Sequence, residues 1–450
     1  MSRSRSARLE PAAQECARVA ALTHEGEGIV REGKTVFIPG ALPGESVRFV
    51  RTRRHRQHDE GRLLEVLEPA AARVTPRCAH FGVCGGCLLQ HLSSDAQLAL
   101  KQTELADNLE RLARVSCPRW FEPLAGPVWG YRRRARLGVK YVAKKGRVVV
   151  GFRERSAPYV ADVHHCDVLA SPVSEWLEPL AELIGALEIR QHLPQIEVAV
   201  ADNVTALVLR VLAPPSAADR ERLCAFAARH GARIYLQPGG LQSIEALEPA
   251  ASSEPLYYTL PPFDLRLQFQ PSDFVQVNGP INRALVARAI ELLAPAPGDA
   301  VLDLYCGLGN FTLPLARSGA RVVGVEGEAA LIERARGNAA RNGITNAEFH
   351  VADLSVAPDP QAPWLRGGYR HVLLDPPRVG AREVLGAVAA LRPQRVLYIS
   401  CHPGSLARDL GILVHEHGLT LEAAGVIDMF PHTGHVESLA LLSGPRGAHG

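Results

Sequence analysis

Between residues 280 and 450, short apolar runs alternate with helical patterns. The runs are Ala300 to Leu304, Arg321 to Val325, His371 to Leu374 and Arg395 to Ile399. Strands spaced by helix-length segments pair in parallel, because each returns through a crossover. The alternation therefore predicts a doubly wound, Rossmann-like α/β domain with helices on both faces of a parallel sheet.

The first run leads into Asp303-Leu304-Tyr305-Cys306-Gly307-Leu308-Gly309-Asn310-Phe311-Thr312. This is a buried strand, a glycine turn and a helix start. The third glycine of a dinucleotide fingerprint is missing, since Thr312 stands there. The next strand ends at Glu326, where a carboxylate can accept hydrogen bonds from both hydroxyls of a ribose. A nucleoside cofactor without a pyrophosphate suits this turn, because Asp303 beside it would repel phosphate and tolerate a cation. S-adenosylmethionine fits that description better than NAD. Asp353 follows the third run. It could face an adenine, or it could be a helix N-cap.

Two strands end in groups able to do chemistry. Val372 to Leu374 runs into Asp375-Pro376-Pro377-Arg378, a stiff loop at the carboxyl end of the sheet, where ligands sit. Val396 to Ile399 runs into Ser400-Cys401-His402-Pro403. Cys401 is either a core thiol or a nucleophile, if its pKa is lowered or proton transfer assists it. Glu437 opens the last apolar strand, Ser438 to Leu442. It is either a general base or a strand-edge charge.

The first half of the chain reads differently. Residues 16 to 68 hold about five short strands with glycine turns, which fits a small OB-like β-barrel. Residues 93 to 114 have helical periodicity, with Leu98, Leu105, Leu109 and Leu112 near one face and Ser93 or Ser94 as cap. Residues 131 to 270 read as strands, interrupted by helices near 173–190 and 216–230. The chain has 450 residues, 47% apolar and 22% charged, enough for two to four domains. Net charge is only +3, so an RNA surface requires local clustering. Residues 131–150 carry eight cations (Arg132, Arg133, Arg134, Arg136, Lys140, Lys144, Lys145 and Arg147) and no acid, with Tyr131 and Tyr141 interleaved. That pattern predicts an RNA-contacting strand, or else a solvated face.

Cys78, Cys84 and Cys87 form C-x5-C-x2-C, and Cys166 lies in His164-His165-Cys166. Three thiols within ten residues point to metal or Fe–S ligation. A structural zinc site would want a second close pair. Three clustered thiolates and one distant one suit a [4Fe–4S] cluster, read as structural or RNA-orienting. The odd count of nine cysteines fits a reducing cytosol. Arg3, Arg5 and Arg8 lack an adjoining apolar segment, so no secretory signal is expected. No apolar stretch is long enough to span a membrane.

Together these motifs resemble the RNA uracil-C5 methyltransferase family, in the branch that modifies 23S ribosomal RNA at uracil-1939. The resemblance spans nearly the whole chain. It implies an N-terminal TRAM domain at 12–70 and a central, mostly β domain at 76–92 and 125–270 carrying the iron–sulfur loop. It also implies a methyltransferase domain at 93–124 and 271–450. Cys78, Cys84, Cys87 and Cys166 match the cluster ligands. Gln276, in Phe274-Val275-Gln276-Val277-Asn278, matches the glutamine motif. With Tyr305, Asn310, Glu326, Asp353 and Asp375 it is implied to contact S-adenosylmethionine or the target base. Cys401 is the implied nucleophile and Glu437 the implied base. Tyr305 departs from the Phe that is usual at its position.

The resemblance further implies a cytoplasmic enzyme acting on 23S ribosomal RNA, with no membrane and no obligate protein partner. Its chemistry would be covalent addition of Cys401 to C6 of a flipped-out uracil, methyl transfer to C5 and loss of the C5 proton to Glu437. Other readings are a non-catalytic RNA-binding iron–sulfur protein, or an enzyme acting on another rRNA or tRNA site. A radical methylthiotransferase is disfavoured by the absence of C-x3-C-x2-C.

Overall fold

The structure, a computed structural model, describes residues 13–23, 25–247 and 254–444. Arg3, Arg5 and Arg8 lie outside the described residues, as do the ends of the expected TRAM and methyltransferase ranges, residues 12 and 445–450. The strands β1 (Gln14–Arg18), β2 (Ala21–Leu22), β3 (Glu27–Val30), β4 (Val36–Pro39), β5 (Ser46–Arg54) and β6 (Asp59–Glu68) form one sheet in the order β1-β5-β6-β4-β3-β2. Val30, Val36, Ile38, Val47 and Phe49 alternate inward to make its core. Six strands form where about five were expected, and β1 is hard to see in the sequence. Its sequence, QECAR, has too few apolar residues to announce itself. The buried Glu45 carboxylate accepts from Leu42 N, Ala70 N and the Arg73 guanidinium, tying this sheet to the segment that follows.

Helix α1 (Ser94–Asn108) continues as a wider turn through Ala113. Ser93 stands at its N-cap position but makes no side-chain cap bond. The buried face is Gln97, Lys101, Leu105, Leu109 and Ala113, which takes in Leu105 and Leu109 of the expected stripe, while Leu98 is half-buried and Leu112 exposed. Leu105 and Leu109 join the core of the C-terminal sheet together with Leu302, Leu406 and Leu410.

The central sheet contains β7 (Arg134–Val142), β8 (Arg147–Gly151), β9 (Gln195–Val200), β10 (Thr205–Arg210), β11 (Ala232–Gln237) and β12 (Glu245–Ala246), in the order β12-β11-β10-β9-β7-β8. Helices α2 (Leu177–Ala186) and α3 (Ala217–His230) share its core. Strands β13 (Leu256–Leu260) and β14 (Leu265–Phe269) form a separate hairpin whose buried side joins the core of the C-terminal sheet.

Helix α4 (Gly279–Leu293) is capped by Asn278, whose side chain accepts from Ile281 N. After it come β15 (Ala300–Leu304), α5 (Thr312–Ala316), β16 (Arg321–Glu326), α6 (Ala329–Arg341), β17 (Ala347–Val351), β18 (His371–Leu374), α7 (Leu385–Ala390), β19 (Arg395–Ser400), α8 (Pro403–His415), β20 (Thr420–Ile427) and β21 (Glu437–Ser443). The sheet order is β17-β16-β15-β18-β19-β21-β20. The first five strands are parallel, as the alternation predicts. The last strand corrects the expectation of a wholly parallel sheet. Strand β21 runs antiparallel to both β19 and β20, because residues 428–436 are too short a link for a helical crossover. No helix among the described residues is long and apolar enough to cross a membrane.

Candidate active site

At the end of β15 the chain turns sharply. Tyr305, Gly307 and Gly309 take φ of 64°, 55° and 97°. Such angles suit glycine and strain other residues. The Tyr305 hydroxyl donates to Leu354 O at 3.2 Å, which holds its ring beside the turn. Glu326, at the end of β16, accepts from Gly307 N at 3.2 Å through one oxygen, and from Gly327 N and Glu328 N at 2.7 and 3.2 Å through the other. Its carboxylate thus joins the two loops between which a nucleoside would lie, with lone pairs left for a ribose.

Asn310 is locked by reciprocal bonds with Asn282, 3.0 Å each, and accepts from the Tyr258 hydroxyl at 2.9 Å. Gln276 lines a small cavity with Tyr258 and Asn282, so the glutamine motif and the glycine turn meet. Asp353 is exposed and accepts from Ser355 N and Oγ at 2.9 and 2.6 Å. It braces a turn. No helix begins there, so the N-cap alternative does not hold.

Asp303 is fully buried. Its Oδ2 accepts from Thr312 Oγ1 at 2.5 Å, while Oδ1 has no partner. Burial, helped by the charges of Asp375 and Glu326, pushes its carboxyl up to about 7. An orphaned buried acceptor beside a glycine turn is the feature a cationic nucleoside would satisfy.

The reactive groups come from neighbouring strand ends. Ser400 and Ser438 are the terminal pair of β19 and β21. One step outward, Cys401 stands opposite Glu437. Asp375 ends β18, the next strand over. Burial, with the charges of Glu437 and Asp375, raises the Cys401 thiol to about 11, and Arg378 opposes the rise. Burial and Asp375 raise Glu437 to about 8, against Arg378 and Lys101. Burial alone raises Asp375 to about 7. Burial and the neighbouring carboxyls thus favour the thiol form of Cys401 over the thiolate. His402 caps α8 through its ring, which accepts from Ser405 N at 3.1 Å, and Pro403 opens the helix. That cap fixes where the chain, and with it Cys401, leaves the strand. Arg378 Nη2 lies 3.2 Å from His435 Nδ1 at the rim.

A cleft of about 1450 Å³ opens over Cys401. Phe37, His58 and Arg62 line it from the N-terminal sheet, Gly85 and Gly86 from the cysteine loop, and Arg132, Arg153 and Arg155 from the central part. These cations, rather than the whole run at 131–150, face the space. Arg133 is bound to Asp202, Arg136 to Glu197, Lys145 to Asp162, and Arg147 to Asp162 and Glu178. Arg134 donates to Pro271 O at 2.7 Å. Tyr131 is a core residue whose hydroxyl donates to Pro431 O at 2.9 Å, and Tyr141 lies under Arg190. Four of the eight cations of the expected basic strand are thus paired with carboxylates outside the segment, while Arg132 lines the cleft.

Cys78, Cys84, Cys87 and Cys166 are gathered. Burial, with the charges of the other three, raises the Cys87 thiol to about 12. Gly86 N donates to Cys84 Sγ at 3.4 Å, and Leu169 N donates to Cys166 O at 3.2 Å. An N–H···S contact like that at Cys84 stabilises a thiolate ligand. Among the described residues, however, no three His, Cys, Asp or Glu side chains stand in metal-holding geometry. The thiols are close without forming a closed coordination sphere.

Sequence reasoning missed Gln97, Lys101 and His432, which are buried together behind the Glu437 segment. Polar residues four apart on a helix read as a solvated face, so no signal in the sequence marked them.

A protein of Alkalilimnicola ehrlichii, the 23S rRNA (uracil(1939)-C(5))-methyltransferase RlmD, is 54% identical over 425 residues, covering 94% of this chain and 95% of that one. The chain belongs to the 23S rRNA (uracil(1939)-C(5))-methyltransferase family. A relative of the same description from Nitrosococcus oceani is 51% identical over 433 residues, covering 96% of each chain. Residues 263–444 match the family described as tRNA (Uracil-5-)-methyltransferase. Among solved structures, the tRNA (uracil-54, C5)-methyltransferase of Pyrococcus abyssi in complex with S-adenosyl-L-homocysteine superposes with a TM-score of 0.73. It is 24% identical, over 95% of this chain and 100% of that one. At that identity the likeness speaks for a shared multidomain α/β fold.

Proposed function

We propose that this protein methylates C5 of a uracil in 23S ribosomal RNA, at the uracil-1939 position named for its relatives, with S-adenosylmethionine as methyl donor. The observation that carries the reading is Cys401 opposite Glu437 at the edge of a cleft wide enough for a nucleotide. Family membership supplies the substrate class. Cys401 and Glu437 also make catalysis a better account than RNA binding alone.

S-adenosylmethionine supplies a sulfonium-activated methyl group. When S-adenosylmethionine is bound, Glu326 would hold the ribose hydroxyls, Asp353 and Tyr305 would stand on the adenine side, and Asn310 and Gln276 would contact the rest of the cofactor or the target base. Asp375 faces the sulfonium or the target base. Cys401 releases its thiol proton to solvent as Sγ bonds to C6 of the uracil, and the displaced π electrons make C5 nucleophilic. After C5 has taken the methyl group, Glu437 accepts the C5 proton. The electrons of that C–H bond then form the C5–C6 double bond as the C6–S bond breaks.

The N-terminal sheet acts as the TRAM domain, 12–70, and offers Phe37, His58 and Arg62 to the RNA. The central domain is 76–92 and 125–270. The methyltransferase domain is 93–124 and 271–450, supported by the packing of α1 into the C-terminal core. Cys78, Cys84, Cys87 and Cys166 would hold a [4Fe–4S] cluster, a fit supported by their mutual proximity and by the Gly86 N–H to Cys84 Sγ contact. Such a cluster braces the loop beside the RNA cleft. The protein works in the cytoplasm, without a membrane or an obligate protein partner.

Two measurements test the reading. Mass mapping of 5-methyluridine in ribosomal RNA should show one site lost when the gene is deleted. RNA carrying 5-fluorouridine at that site should form a covalent adduct with the protein and none with Cys401→Ala. An adduct that survives the substitution would move the role to another thiol.

A further inference from the structure

Gln97 lies in the first turn of α1 and is 2% exposed. Its Oε1 accepts from His432 N at 2.8 Å. Its Nε2 faces Leu92 O at 2.8 Å, Leu89 O at 3.0 Å and His432 Nδ1 at 3.2 Å. Leu88 N and Leu89 N in turn both donate to His432 O, at 2.8 and 3.0 Å. Leu88 directly follows Cys87. His432 precedes Glu437 by five residues and holds a φ of 65°. Trp129 stacks on its ring at 4.0 Å between centroids.

One turn further along α1, Lys101 donates to Asp428 Oδ1 at 2.7 Å and to Phe430 O at 3.0 Å. The link between β20 and β21 is therefore held at its start by Lys101 and at its middle by Gln97. A leucine at position 97 would pack as well and avoid desolvating an amide. A buried amide with its groups engaged does what leucine cannot, which is to select a single register between two loops.

We propose that Gln97 is a positioning residue: through His432 it locks the cysteine loop and the segment leading to Glu437 into one unit, and so sets the aim of the Glu437 carboxyl at the reacting carbon. The inference rests on the reading of Glu437 as the base. It makes the cysteine loop a mechanical support of that base as well as part of the cleft wall.

The test uses the full-length protein, target RNA and methyl-labelled S-adenosylmethionine. Gln97→Met should lower kcat by about tenfold or more while KM for RNA and for the methyl donor stays within about twofold, the signature of an interaction needed in the reaction rather than in binding. The fraction of protein trapped on denaturing gels as a methylated covalent complex should rise, because deprotonation at C5 becomes slow while addition of Cys401 does not. Hydrogen exchange should quicken together in residues 86–92 and 428–437. If Gln97→Met does not fold, His432→Gly carries the test. It keeps the positive φ and the carbonyl, removes the ring held by Gln97 and Trp129, and should raise the trapped fraction likewise.

Product and adduct falling together, in proportion to lost folded protein, would overturn the proposal. So would faster exchange in only one of the two segments. Glu437→Gln is run alongside. If that variant traps no methylated complex, the reading of Glu437 fails on its own, and the paired exchange rates still decide whether the lock exists.

Discussion

Cys401 and Glu437 each lie one residue beyond the last pair, Ser400 with Ser438, of the antiparallel strands β19 and β21, near enough for the Glu437 charge to raise the Cys401 thiol. This placement follows from the reversed last strand. In a parallel continuation, the end of β19 would lie beside the end of its neighbour, and the first residue of β21 would be at the far edge of the sheet. Because β21 enters where β19 leaves, residues thirty-six positions apart share one end of the sheet.

Glu437→Gln keeps the size of the side chain but removes the basic carboxylate. Once C5 carries both methyl and hydrogen, Cys401 cannot leave until that proton is taken. The variant is expected to methylate once and then accumulate as a covalent protein–RNA complex carrying the labelled methyl, seen on denaturing gels. Lost activity without labelled adduct would point to another base, such as His435 in the cleft wall.

RNA affinity should follow the cations that line the cleft. Arg62→Glu with Arg153→Glu should weaken binding by about tenfold or more and flatten its salt dependence, since a phosphate that no cation neutralises keeps its counterions. Arg136→Glu with Lys145→Glu should change binding much less, because those side chains already face Glu197 and Asp162. Titrations of labelled RNA at several salt concentrations separate the two pairs. Equal effects would restore the β7–β8 face as the RNA surface.

The strands that carry the chemistry were legible because burial on both faces leaves runs of Val, Leu and Ile that stop abruptly at Glu326, Asp375 and Cys401. Strand β21 was legible as a strand, yet its direction was not, since direction depends on the length and path of residues 428–436. The charge count in residues 131–150 did not reveal the pairing of four of its cations, because Asp162, Glu178, Glu197 and Asp202 lie elsewhere in the sequence and meet them only in the folded chain. Gln97 and Lys101 were hidden for the same reason. Their partners His432 and Asp428 are 335 and 327 residues away.

The four gathered cysteines give a composition test. Protein purified without oxygen should carry iron and acid-labile sulfide in equal amounts, with a brown absorbance. Changing Cys78, Cys84, Cys87 or Cys166 to Ser should bleach it. Cys166→Ser should also lower thermal stability, because Cys166 is buried in the central core beside Val168 and Leu169. Stoichiometric zinc with no iron would contradict the cluster.

The three raised carboxyls make stability and cofactor binding depend on pH in a defined direction. Asp303 and Asp375 stand at about 7 and Glu437 at about 8 in the folded chain, against roughly 4 for free carboxyls. Between these limits the folded state holds protons that the unfolded state has released, so stability on this account is full at low pH and is lost as pH rises. Melting temperature of the free protein should therefore fall from about pH 4 to about pH 8 and level off above that, and Asp375→Asn should flatten the fall. A positive sulfonium favours the ionised carboxyls and relieves their mutual repulsion. S-adenosylmethionine should thus bind more tightly as pH rises and release protons on binding, while the neutral thioether S-adenosylhomocysteine should release fewer. Calorimetry of both ligands in two buffers of different ionisation enthalpy measures the difference. Equal proton release by the two would mean that these carboxyls do not face the sulfonium charge.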